Sequence, residues 1–91
     1  MSSYGRTKVL TIMLETGELN ISEITRRSGL SHSAATRHLE FLKKSGILTE
    51  KRFNRIRIFR VDQSNPVAEA LLRFYADWKE IGETNGRPAY N

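Results

Sequence analysis

The residues best suited to chemistry in this chain lie between Ser31 and Arg37. Ser31, His32, Ser33, Thr36 and Arg37 open a segment whose apolar positions, Ala35, Leu39 and Leu42, recur at i, i+4 and i+7. That spacing predicts a helix over 31–45 with one buried stripe. Short hydroxyl side chains permit close approach to a nucleobase and bond to donor or acceptor edges alike. A guanidinium can fork onto guanine. A helix start of this composition suits the DNA major groove. By the same reading His38, one residue before a core leucine, is structural and partly buried.

Other elements must hold that helix in place. Val9, Leu10, Met13 and Leu14 predict a helix from Arg6 to Glu15, closed by Gly17. Glu18-Leu19-Asn20 is long enough for one extended pairing. A short helix follows over Ser22–Ser28, with Ser22 read as its N-cap, Glu23 in the first turn and Gly29 at its end. Gly46 stops the 31–45 helix. From Ile47 to Val61, β-branched and aromatic residues alternate with charges around Asn54, which predicts a two-stranded hairpin. Asn65-Pro66 opens a last helix, expected to run to Ile81 with Gly82 as its stop. Along it Val67, Leu71, Phe74, Trp78 and Ile81 step by 4, 3, 4 and 3, a seam that Tyr75 widens.

The order is helix, extended piece, helix, tight turn, helix, hairpin, helix. The fold class expected is mainly α with a small β-hairpin, a winged helix-turn-helix with a C-terminal dimerisation helix. Residues 1–63 form the DNA-binding unit, 64–82 the dimerisation helix and 83–91 a flexible tail. The seam Val67, Leu71, Phe74, Tyr75, Trp78 and Ile81 is read as the dimer interface rather than as core of one subunit.

Charge points the same way. The 91 residues carry a net +5 and no cysteine. Ile24 to Val61 holds ten basic residues against two acidic ones, Glu40 and Glu50, a net of +8; the rest is −3. Such asymmetry indicates a polyanionic partner. Arg26 and Arg27 are placed to touch phosphates, and Lys51 and Arg52 lie beside the hairpin tip. Lys43 and Lys44 are divided between solvent and DNA backbone, while Arg60 is suited to pairing with a carboxylate. The missing cysteine excludes disulfides, thiol nucleophiles and thiolate metal sites. No paired carboxylates, nucleophile–base arrangement or phosphate-cradling glycine loop marks an enzyme. No apolar run spans a bilayer and the first residues lack a signal-peptide core, so the expected location is the cytoplasm.

The run Ser31-His32-Ser33-Ala34-Ala35-Thr36-Arg37-His38-Leu39-Glu40-Phe41-Leu42-Lys43-Lys44-Ser45-Gly46-Ile47-Leu48 resembles the recognition-helix signature of ArsR-type regulators, with its Ser-rich start, Arg-His-Leu centre and Gly-Ile/Leu close. Ile21-Ser22-Glu23-Ile24 and Ser28-Gly29-Leu30 match the preceding helix and turn. MarR-type and archaeal winged-helix regulators share much of the pattern, and an archaeal regulator is the expectation. The resemblance implies that the 31–45 helix reads the major groove through Ser33, Thr36 and Arg37. It also implies that Arg52, Asn54, Arg55 and Arg57 form a wing, within 50–61, on the minor groove or backbone. The chain departs from metal-sensing relatives. The helix before the turn has no thiol and both histidines lie in the recognition helix, so no metal and no cofactor is expected. Together these readings give a homodimeric, sequence-specific regulator of double-stranded DNA. A non-specific architectural DNA binder and a winged-helix protein-interaction module are the competing readings.

Overall fold

The computed structural model describes residues 3–84. Four helices and three strands follow in the order α1 (Ser3–Thr16), β1 (Glu18–Asn20), α2 (Ile21–Ser28), α3 (His32–Lys44), β2 (Leu48–Phe53), β3 (Ile56–Val61) and α4 (Pro66–Thr84). The strands form one antiparallel sheet in the order β1-β3-β2. The expected extended pairing of Glu18-Leu19-Asn20 is therefore made with β3, through Leu19 opposite Phe59.

Capping sets the helix boundaries. Ser31 is extended, and its hydroxyl accepts from the Ala34 N–H, so it caps α3 as the sequence suggests. The cap of α2 differs from expectation. Asn20 rather than Ser22 performs it, accepting from the Glu23 N–H at 2.9 Å. The last residue of β1 thus starts the next helix, and Ile21 enters the first turn already buried. Gly29, at φ 71°, ends α2 in the left-handed conformation and returns its N–H to the Thr25 carbonyl.

Gly46 links α3 to the sheet at φ 85°. A Cβ there would lie 2.8 Å from Nδ2 of Asn65. Asn65 in turn caps α4, its Oδ1 accepting from the N–H groups of Val67 and Ala68. One glycine therefore lets the end of α3 meet the start of α4. Gly82, expected to stop α4, lies inside it, and the helix continues to Thr84. A single glycine in an exposed helix costs about 1 kcal/mol and does not break it. Of the tail assigned to 83–91, Glu83 and Thr84 are helical and the remainder lies outside the described residues.

The core joins all four helices to the sheet. Val9 and Met13 from α1, Ile24 from α2, Leu39 from α3, Leu48 from β2, Phe59 and Val61 from β3 and Ala68 from α4 are buried together. The α4 seam divides. Leu71 packs against this core, a correction to its reading as interface alone, because α4 lies against α1 at that level. Tyr75 is half-buried. Val67, Phe74, Trp78 and Ile81 remain 54–63% exposed, with the Phe74 and Trp78 rings 6.1 Å apart.

Candidate nucleic-acid interface

The start of α3 presents three of the expected side chains to solvent. His32, Ser33 and Arg37 are exposed. Among the described residues no carboxylate pairs with Arg37, so its guanidinium is available to a ligand. Ser31 is exposed, but its oxygen caps the helix and lies 3.5 Å from the Ser33 hydroxyl. Thr36 departs from the exposed position that the sequence reading gives it: its hydroxyl is buried without a hydrogen-bond partner. The position lies on the flank of the helix between the solvent-facing Ser33 and the buried Ala35 and Leu39.

One turn on from Arg37, α3 is held by α1. Arg6 lays its guanidinium 3.6 Å over the centre of the Phe41 ring, a cation–π contact. His38 is buried beside it, as the sequence reading expects of a structural histidine. A Cβ on Gly5 would lie 2.8 Å from its Nε2, so α1 passes the ring closely. Burial holds the His38 pKa below its ordinary value, and the charges of Arg6 and Arg37 lower it further.

On α2, Arg26 and Arg27 are exposed and share Glu23, at 2.6 Å and 3.3 Å. The hydrogen bond from Arg26 is the main reason the Glu23 carboxyl lies below its usual range. Exposed pairs of this kind are weak and leave cations able to exchange a carboxylate for a phosphate.

The wing separates its cations into two sets. Lys51, Asn54 and Arg55 are exposed near the β2–β3 turn, and no carboxylate pairs with Lys51 or Arg55 among the described residues. Arg52 is exposed and 3.7 Å from Glu50. Asn54 takes the left-handed conformation at φ 58°, which asparagine tolerates better than most residues and which lets a two-residue turn close the hairpin.

Arg57 belongs to a different set, against the expectation that it contacts DNA. Its guanidinium donates to Glu50 and to Glu40, each at 2.6 Å, and it is largely buried. Lys43 donates to the same Glu50 at 2.8 Å. The cluster ties α3 to both wing strands. The Arg57 hydrogen bond is the chief cause of the Glu50 carboxyl falling to about 2, and Lys43 adds to it. Sequence reasoning missed this role for Glu40 and Glu50, yet a signal was present. They are the two acids in a stretch of ten cations, and such acids are there to hold cations still. Arg60, at the hairpin base, lies 3.5 Å from Glu18 of β1 and is paired as expected.

No group of three or more His, Asp or Glu side chains that could hold a metal ion occurs among the described residues. Nor is any described helix long and apolar enough to cross a membrane.

Comparison with known proteins agrees with this architecture. HlyU from Vibrio cholerae superposes with a TM-score of 0.67 at 23% identity, over 77% of this chain and 73% of that one. A MarR family transcriptional regulator from Silicibacter pomeroyi gives 0.66 at 20% identity, over 90% and 57%. At these identities the likeness shows the fold: a winged helix-turn-helix followed by a further helix. A structure described as "possible transcriptional regulator for arsenical resistance" is 31% identical, with a TM-score of 0.56, over 75% of this chain and 68% of that one. No curated protein sequence matches the chain. The model of the arsR family of bacterial regulatory proteins matches residues 3–50, more than half of the chain and the whole of α1, α2 and α3. This protein therefore belongs to the arsR family of bacterial regulatory proteins.

Proposed function

We propose that the protein is a homodimeric, sequence-specific regulator that occupies a promoter site on double-stranded DNA. One observation carries the reading. The cations of the helix-turn-helix and wing are sorted, with Arg57 and Lys43 locked against Glu40 and Glu50 and Arg37, Lys51 and Arg55 left open to solvent. In this reading α3 enters the major groove, where Ser33, His32 and Arg37 select bases. Arg26, Arg27, Lys51, Arg52 and Arg55 touch phosphates and fix the register, and Asn54 lies at the wing tip. Arg57 is left out of the contact set because it braces the wing.

The exposed seam of α4 supports a second copy of the chain as partner. Val67, Phe74, Trp78 and Ile81 are large, aligned and wet. Burying each is worth about 1.5–3 kcal/mol as an upper figure. Two recognition helices about 34 Å apart would then read a palindrome. The chemistry requires neither metal nor cofactor, and the proposed location is the cytoplasm.

Selection of bound duplexes from a random pool tests the reading. A palindromic consensus with half-sites one helical turn apart is expected. Equal affinity for selected and random DNA would instead favour a non-specific architectural binder. Absence of salt-sensitive binding would leave a protein-interaction module.

A further inference from the structure

The wing tip carries two large apolar side chains that the core does not use. Phe53 is 65% exposed and Ile56 is 48% exposed. They face each other as the last register pair of the hairpin, immediately behind the Asn54-Arg55 turn. Strand alternation places the pair on the outer face of the sheet, with Lys51 and Ile58 as the next pair. The inner face is occupied by Leu48, Phe59 and Val61 and by the Arg57 cluster. A scattered exposed apolar residue needs no explanation. Two of them opposed at the apex of a hairpin form a protruding apolar edge.

The surroundings indicate what that edge meets. Lys51, on the same face, and Arg55, in the turn, flank it, whereas Arg52 and Glu50, the one acid in either wing strand, lie on the other face with the Arg57 cluster. The end of the wing is therefore polar and cationic at the Asn54-Arg55 turn and apolar on its outer face just behind it. Two side chains are too small an area for a stable protein interface, which needs on the order of 1,000 Å². They are the right size for the gap between two base pairs. Minor-groove proteins insert wedges of Phe, Leu, Ile, Met or Pro between base steps, unstack them and kink the duplex by about 20–90°.

We propose that Phe53 and Ile56 form such a wedge, so that the protein bends the DNA it binds through its wing tip. The inference rests on the DNA-binding reading and adds to it a mechanical action on the duplex. Lys51 and Arg55 would neutralise the phosphates beside the opened step. A flexible pyrimidine–purine step at the wing position would be favoured without any hydrogen bond to its bases.

The test uses the full chain and a duplex of about 20 base pairs carrying the selected site, roughly 70 Å long, with a donor and an acceptor dye at its ends. At saturating wild-type protein, energy transfer should rise above that of free DNA. Phe53→Ser combined with Ile56→Ser should restore the free-DNA value while weakening binding by no more than about tenfold, because the phosphate contacts persist. Both positions are exposed, so the variant should fold, which its helical circular dichroism would verify. Arg55→Ala is the control: weaker binding, with the bend intact at saturation. A bound wild-type duplex as straight as free DNA would overturn the wedge while leaving DNA binding in place. So would a bend unchanged in the double variant. Wild-type protein that binds no duplex would overturn the DNA-binding reading itself.

Discussion

At Glu50 one carboxylate answers two cations, and this decides much of the behaviour of the wing. The group is nearly enclosed and titrates at about 2 rather than at the ordinary 4.5. A folded pKa below the unfolded one contributes stability that is complete above about 4.5 and is lost as the pH falls toward 2. Glu50→Gln should cost about 1–3 kcal/mol at neutral pH, and denaturant titrations should show a shallower acid limb over that window. His38 acts in a higher window. Burial and the nearby Arg6 and Arg37 keep its ring neutral in the fold, so stability should begin to fall as the pH drops below about 6.5. Replacing His38 by leucine should remove that component and leave the Glu50 limb unchanged. Arg37 is the residue whose loss should be read on DNA rather than on stability. Arg37→Ala should cost roughly 1–3 kcal/mol of binding and relax preference at one base pair, measured by repeating the selection. Equal losses on selected and random duplexes would count against base readout.

The joints between elements set where the recognition helix points. Gly46 holds a left-handed conformation, and its neighbour is the amide that caps α4. Gly46→Ala meets backbone strain and a close contact together, and should destabilise by about 2–4 kcal/mol in thermal or chemical unfolding. An alanine that left the transition midpoint unchanged would show that this joint is loose. The elements themselves were legible in the sequence for local reasons. Ser31, Gly29, Asn65-Pro66 and the alternation over β2 and β3 each specify a boundary or a period within a few residues. Two boundaries were not legible. Asn20 displaced Ser22 as the cap of α2 because the pairing of β1 with β3 delivers Asn20 in an extended conformation. Gly82 failed to stop α4 because a glycine can hold the helical conformation at a cost of only about 1 kcal/mol, and it is not among the glycines with positive φ.

On the scale of the whole molecule, the unpartnered seam of α4 is the feature with the largest consequence. Sedimentation at tens of micromolar should give a dimer, and Phe74→Ala with Trp78→Ala should give a monomer with weaker DNA binding. A monomeric unmutated chain at that concentration would refute the dimer. With five phosphate contacts per subunit, the dimer's affinity should fall with a log–log salt slope of about −9.

The sequence by itself determined the order of elements, the buried stripe of α3 and the concentration of charge between Ile24 and Val61, because periodicity, caps and composition are local properties. Tertiary structure alone decided which of those charges are available. Arg57 and Arg55 are two residues apart in a strongly basic stretch, and nothing local says that one of them finds carboxylates on another element. Packing α3 under the hairpin turns Arg57 inward to Glu40 and Glu50, while Arg55 stays at the turn in solvent. The hydroxyl of Thr36 was withdrawn in the same way, by the flank of the helix on which it falls. Ion pairing between residues 17 positions apart depends on how helix and hairpin meet, and only the folded chain specifies that meeting.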